Sequence, residues 1–212
     1  MTQTPVRPWR VERQRYLYRD RWLTHRADRC VTERGEVLDP FHVFEFTDWV
    51  NVIALTADRR VSLVDEYRHG VGEVVRGLPS GVMETDETDP AVAAARELLE
   101  ETGHRAGQMW PVAESFANAA SQTNRVWSFL AVDCQPVTDP HFDPGENIAL
   151  APVALADCLR DLHAGRLRMQ MAHLLGLFAA ESFLRAHRDP NLAAICLALA
   201  SDDILPSSIV RD

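Results

Sequence analysis

None of the four cysteines, Cys30, Cys134, Cys158 and Cys196, stands at C-x-x-C spacing from another. Neither a zinc site nor a dithiol redox motif is therefore indicated, and each thiol is expected to be a small buried or half-buried side chain. The N-terminal stretch MTQTPVRPWRVERQRYLYRDRW has no apolar h-region and no small-residue cleavage site. Nor does any run reach the length of a membrane span, so a cytoplasmic location without a membrane partner is expected. Positive charge is in short supply, with 22 Lys and Arg against 31 Asp and Glu, a formal net charge of −9 and a pI near 5.3. Binding nucleic acid through its phosphates needs clustered cations, so that class of partner is not expected. An anionic ligand must instead meet local cations or a metal. Internal repeats and low-complexity segments are missing too. The remainder, 212 residues of which 46% are hydrophobic and 25% charged, is ordinary for one soluble core with an accessory element.

Residues 10–46 mix aromatic, β-branched and charged side chains, with strands expected near Arg15–Tyr18, Trp22–Arg26 and His42–Phe46 around the polar ERGEVLDP. WVNVIAL (49–55) and VSLVDEY (61–67) are apolar runs joined by the turn-like TADRR and read as paired strands. A polar, glycine-bearing segment then leads to AVAAARELLEET, a helix whose limits are marked by Asp89 as N-cap, Pro90 in the first turn and Gly103 at the C-cap. Val126–Val132 reads as a further strand, and apolar periodicity places helices near Leu155–Leu162, Met171–His187 and Leu192–Ala200. This order predicts an α+β fold, a layered α/β/α domain rather than a doubly wound one.

On the acidic helix, a spacing of about 100° per residue puts Val92, Ala95 and Leu99 on an expected packing side. Glu97, Glu100 and Glu101, at i, i+3 and i+4, fall roughly opposite. Carboxylates so placed repel one another, and a hard divalent cation with oxygen ligands relieves the repulsion. Gly77, Pro79 and Gly81 just ahead of the helix can bring backbone close to such an ion and to a phosphate.

Gly81, Glu87, Arg96, Glu97, Leu98, Glu100, Glu101 and Gly103 form a glycine, a glutamate and then R-E-U-x-E-E-x-G, where U is a bulky apolar residue. This pattern resembles the Nudix box, and on it the chain is identified as a member of the Nudix hydrolases. Two positions depart from the pattern: eight residues rather than seven separate Glu87 from Arg96, and His104 takes the final apolar place. YRHGVGEVVRGLPSG and WLTHRADRCVTERGE resemble segments of ADP-ribose pyrophosphatases and related nucleotide-sugar hydrolases, so the likeness covers roughly residues 10–185. Gly77 replaces a glutamate usual before the turn, and FANAASQTNRVWSFLA lacks a proline usual after the box, which leaves ADP-ribose and other nucleotide sugars open.

The resemblance implies a Nudix fold, an α/β/α sandwich around a mixed sheet. It divides the chain into an N-terminal β appendage for dimerisation (1–46), a hydrolase domain (47–188) and a C-terminal helix and tail (189–212). The implied cofactor is Mg²⁺, with Mn²⁺ as an alternative, held by Glu97, Glu101, Glu100 and the Ser80 carbonyl. Gly81, Glu87, Arg96 and Gly103 are the structural members of the box. The base expected by analogy is Glu146, on the DPGENIAL loop, with Glu100 or Glu114 as alternatives. Arg68, His69, Arg76 and Arg125 are candidate phosphate contacts, Glu114 a candidate substrate contact, and Trp49, Trp127 and Phe116 candidates to stack on a base. The expected reaction is hydrolysis of the pyrophosphate bond of a nucleoside diphosphate linked to a sugar, by a homodimer. Coenzyme A, dinucleoside polyphosphates and oxidised nucleotides remain alternative substrates, and a non-catalytic nucleotide sensor is the alternative of another class.

Overall fold

The computed structural model describes residues 6–143, 145–187, 189, 192 and 195. Cys196, and all but Leu192 and Ile195 of the helix expected at Leu192–Ala200, lie outside these residues. The chain forms two compact units, residues 1–48 with 116–125, and residues 49–115 with 126–212.

The first unit holds an antiparallel sheet of β1 (Arg10–Arg19), β2 (Thr24–Val31) and β3 (Val37–Glu45), in that order. Asp20 makes the first hairpin turn: its carboxylate accepts from the amides of Trp22 and Leu23, each at 2.8 Å, an Asx-type closure. The strands are longer than expected, and part of ERGEVLDP lies inside β3. Residues 116–125 return to this unit, where the Phe44 amide donates to the Ser121 carbonyl at 2.8 Å. All ten residues of β1 are exposed, among them Val11, Tyr16, Leu17 and Tyr18.

In the second unit, in chain order, come β4 (Trp49–Thr56), β5 (Arg60–Val61), β6 (Val64–Arg68), β7 (Glu73–Gly77), β8 (Ser80–Val82), α1 (Pro90–Thr102), β9 (His104–Arg105), β10 (Gln108–Phe116), β11 (Arg125–Pro136), β12 (Ile148–Leu150), β13 (Val153–Ala154), α2 (Leu155–His163) and α3 (Met171–Ala186). The single strand expected over 61–67 is two: β5 pairs with β4, and β6 leaves for a small sheet of order β12-β6-β7. The main sheet is mixed. β4 runs parallel to β11 and antiparallel to β8, with Asn51 opposite Ser128 and Ser80, and Val50 opposite Gly81.

β4 is buried along six of its eight residues, as expected of a strand covered on both faces. Alternate side chains serve different layers. Val50, Val52 and Ala54 pack with Phe129 and Ala131 of β11 against Ala93, Ala94 and Leu98 of α1. Ile53 and Leu55 pack with Leu130 and Val132 against Leu159 of α2 and Leu177 and Leu184 of α3. One helix below and two above make the layered α/β/α arrangement.

Candidate active site

Both ends of α1 follow from local sequence. The Asp89 carboxylate accepts from the Ala91 amide at 2.9 Å, Pro90 starts the helix, and Gly103 ends it at φ 69°, its N–H donating to the Leu99 carbonyl at 2.8 Å. The buried face is not the one expected. Val92 is 57% exposed and Ala95 is exposed, whereas Ala93, Ala94, Glu97, Leu98, Glu101 and Thr102 are buried. Val92, Ala95 and Leu99 form an equally apolar stripe, but the Ala93–Ala94–Leu98 stripe is slimmer and lets the helix approach β4 closely. That rotation carries Glu97 and Glu101 beneath the helix and leaves Glu100 half-buried at its edge.

Gly81 makes the space for Glu97. Opposite Val50, its Cα faces α1, and a Cβ there would fall inside the Glu97 carboxylate. One residue earlier, the Ser80 amide donates to Glu101 Oε2 at 3.1 Å. Arg96 ties the acids together: its guanidinium donates to Glu87 (2.9 and 3.0 Å), Glu97 (2.8 Å), Glu100 (2.9 Å) and the Val82 carbonyl (3.0 Å). Glu87 also accepts from the Glu84 amide at 2.7 Å, while its bond to Arg96 spans the segment that contains the extra residue of the box.

One guanidinium does not balance this many carboxylates. Burial pushes Glu97 up to about 7 against the pull of Arg96, and burial with the neighbouring Glu97 charge pushes Glu101 up to about 9. Glu87, bonded to Arg96, is instead held below the usual carboxylate range.

Two more acids face this cluster. Glu66, in β6 opposite Ile148, is raised by burial, opposed by Arg68 and reinforced by Glu146. The Glu146 charge also contributes to the upward shifts of Glu97 and Glu101. Glu146 itself is exposed, with Oε2 accepting from the Asp143 amide at 2.9 Å. Sequence reasoning passed over Glu66. Its strand, VDEYR, also carries Asp65 and Arg68, so the pattern alone did not single this acid out.

Beside the box turn opens a cleft of about 270 Å³, lined by Trp49, Asn51, Arg68, Ser80, Val82, Gln170 and His173 among others. Arg68 donates to Glu66 at 2.8 Å. His173 is buried, and its Nδ1 accepts from the Leu78 amide at 3.2 Å, which leaves the proton of the neutral ring on Nε2. Burial, with Arg68 nearby, lowers this imidazole to about 4.

The remaining candidates lie elsewhere. Arg76 forms a two-pronged pair with Asp65, 2.7 Å at each prong, and lines a second groove with His69 and Arg68. Glu114 is exposed on β10, and Trp127 packs into the layer under α1. Phe116 and Arg125, the end residues of β10 and β11, fall in the first unit, where the guanidinium lies 5.9 Å from the ring centre.

The glycine turn, the capped helix and the buried acids reproduce in three dimensions what the box spells in sequence. The NUDIX domain family model matches residues 45–174, more than half of the chain, and the protein belongs to the Nudix family. It is similar to the methanol dehydrogenase activator of Bacillus methanolicus, 41% identical over 71 residues, 33% of this chain and 37% of that one. It is similar also to the ADP-ribose pyrophosphatase of Bacillus subtilis strain 168, 27% identical over 112 residues (52% and 60% of the two chains). A third relative, the ADP-ribose pyrophosphatase of Mycobacterium tuberculosis H37Rv, is 25% identical over 151 residues (70% and 72%). The matched stretch thus spans less than two thirds of the first two relatives. A crystal structure described as that of ADP compounds hydrolase shares the fold, with a TM-score of 0.75 over 86% of this chain and 97% of that one at 19% identity.

Among the described residues no three His, Cys, Asp or Glu side chains converge as a ready metal cage. Mg²⁺ keeps waters and is held through protein oxygen ligands together with substrate phosphate oxygens. The donor set fits: hard oxygen ligands, buried and short of positive charge.

Proposed function

We propose that this protein is a divalent-metal-dependent pyrophosphohydrolase that splits a nucleoside diphosphate linked to a sugar, ADP-ribose or another nucleotide sugar, into a nucleoside monophosphate and a sugar phosphate. The observation that carries this reading is the buried pair Glu97 and Glu101, accommodated by the missing Cβ of Gly81 and incompletely balanced by Arg96. Relatives that are ADP-ribose pyrophosphatases support the substrate class.

Glu97, Glu101, Glu100 and the Ser80 carbonyl would hold Mg²⁺, or Mn²⁺ in its place, which when bound neutralises the diphosphate and makes water a better nucleophile at neutral pH. Arg96 fixes Glu87, Glu97 and Glu100 in one frame, so the acids need no reorganisation when substrate arrives. Arg68 offers a cation to the phosphates from the cleft wall. Glu146 takes the proton of the attacking water on Oε1, its Oε2 being engaged by the Asp143 amide. The water oxygen bonds to one phosphorus, the bond from that phosphorus to the bridging oxygen breaks, and the bridging oxygen leaves with the other phosphate. The protein acts as a homodimer through the exposed β1 sheet, in a reducing cytoplasm that suits the buried free thiols of Cys30, Cys134 and Cys158.

The test is turnover of a panel of nucleotide sugars, coenzyme A, dinucleoside polyphosphates and oxidised nucleotides with Mg²⁺ or Mn²⁺, with products identified by mass spectrometry in ¹⁸O-water. Nucleotide sugars are expected to turn over fastest, with one ¹⁸O in one product phosphate. Preference for another class, or no turnover at all, defeats the reading. A second reading, hydrolysis used to regulate a partner enzyme, is favoured by the stretch shared with the methanol dehydrogenase activator. It requires the same chemistry.

A further inference from the structure

In the layer between the sheet and α3, where every neighbouring β4 position is apolar, Asn51 is the exception. It is 1% exposed, and neither its amide oxygen nor its amide nitrogen has a hydrogen-bond partner among the described residues. Ser128 lies opposite it on β11, buried as well. α3 passes over this pair with a glycine, Gly176, whose absent Cβ would stand 2.9 Å from Asn51 Oδ1 and 3.2 Å from Ser128 Oγ. Two polar residues thus form a notch in an otherwise oily layer. Asn51 is the member of the pair that also lines the cleft, with His173, Gln170, Ser80 and Gly81. Strand alternation explains why this cleft adjoins the box. On β8, Gly81 faces α1, so Ser80 and Val82 face the cleft.

A buried amide with neither end bonded is costly and calls for a reason. Leucine at position 51 would fill the same space without the penalty, as Ile53 and Leu55 do in register with it. A ligand group that both donates and accepts would supply the missing partner at each end, and a hydroxyl does both. The size of the cleft limits the ligand. At about 270 Å³ it is smaller than the ~300–1,000 Å³ of pockets that enclose drug-sized molecules, so a single sugar ring suits it better than a nucleoside.

We infer that the cleft between β4, β8 and the start of α3 binds the sugar half of the substrate, and that Asn51, with Gln170 at the rim, reads its hydroxyl groups. This rests on the proposed hydrolysis of nucleotide sugars, with the diphosphate at the box turn and the nucleoside half outside the cleft. A site that hydrogen-bonds a substrate hydroxyl rejects the analogue lacking it, because the buried polar group is then left unpaired. Discrimination is therefore the signature.

The test compares ADP-ribose with a simple alkyl ester of ADP, which has the same nucleotide and diphosphate but no sugar hydroxyls, in the wild type, Asn51→Leu and Gln170→Ala. The wild type should favour ADP-ribose by kcat/KM at least ~10²-fold. Asn51→Leu should reduce that preference at least tenfold, chiefly through KM for ADP-ribose, while the melting temperature of the ligand-free protein rises or stays level. Gln170 is exposed and makes no side-chain capping bond at α3, so Gln170→Ala should fold normally and shift the preference the same way. Binding of ribose 5-phosphate, read as a rise in melting temperature, should weaken in both variants. Wild-type preference that survives in both variants overturns the inference even if ADP-ribose is hydrolysed well. Should the wild type hydrolyse no nucleotide sugar, the proposed function fails, and the ribose 5-phosphate shift then decides the cleft: present in the wild type and lost in Asn51→Leu supports it, absent in the wild type ends it.

Discussion

His173 gives the protein an acid-sensitive joint. Its ring, on the first turn of α3, is buried, accepts from the Leu78 amide, and titrates near 4 in the fold because burial and the nearby Arg68 oppose its charge. The ordinary value in an unfolded chain is about 6.5. The folded value is the lower one, so the unfolded state binds the proton first and stability falls as pH drops from about 6.5 towards 4. At pH 5 the difference is about 1.5 units, worth about 2 kcal/mol at ~1.4 kcal/mol per unit. For a chain of this size that is about 4–8 °C in melting temperature. His173→Asn keeps an acceptor for Leu78 but cannot titrate, so it should remove this component while leaving the acid response of the carboxylates. Thermal unfolding of both proteins at pH 7.5 and pH 5, without metal, measures it. Between those pH values the wild type should lose several degrees more than the variant, whatever offset the substitution brings at pH 7.5. Parallel losses in the two proteins would refute the argument that the imidazole is held neutral.

Glu101→Gln should lower turnover at least ~10³-fold with an unchanged circular dichroism spectrum, since it removes one anionic metal ligand; more than about a tenth of wild-type rate at saturating Mg²⁺ contradicts that role. Gly81→Ala should cost at least ~10²-fold in kcat, because the new methyl displaces the Glu97 carboxylate, and a near-normal rate would show that Glu97 has freedom to spare. Glu146→Gln should lower kcat roughly 10²- to 10⁴-fold with little change in KM, and a larger loss in Glu114→Gln would rule out the loop carboxylate and send the search for the base to the box, Glu100 first. Sedimentation at micromolar concentration should give about twice the mass of the 23.8 kDa chain; a fully active monomer excludes the dimer.

The features legible in sequence were the locally determined ones. Asp89, Pro90 and Gly103 fix α1 through contacts within four residues, and the i, i+4 spacing of Glu97 and Glu101 puts them on one face whatever packs against the helix. Which face turns inward is not local. Two apolar stripes compete, and the choice depends on the slim surface of β4 and on Gly81, far from the helix in the pairing pattern. β10 was missed because Pro111 and Glu114 interrupt its apolar pattern, and β7 because it hides in a glycine-bearing polar segment. The 116–125 segment pairs with Phe44 across more than seventy residues, a contact no spacing rule reports. Asn51 was visible as the one polar residue within WVNVIAL, yet only the empty hydrogen-bond positions of its amide make it more than a blemish in a strand.

The alternation of β4 also bears on how this protein could be changed. Val50, Val52 and Ala54 support the helix that carries the acids, while Asn51 looks the other way, into the cleft, separated from them by the thickness of one strand. Substitutions at position 51 and its facing partners on α3 can accumulate without disturbing the seat of Glu97 and Glu101. A new preference could then arise in a lineage, or in a selection experiment, through changes on one side of the sheet alone. Variants recovered for altered substrate choice should cluster at Asn51 and Gln170, and those recovered for lost catalysis at Gly81, Ala93, Ala94 and Leu98.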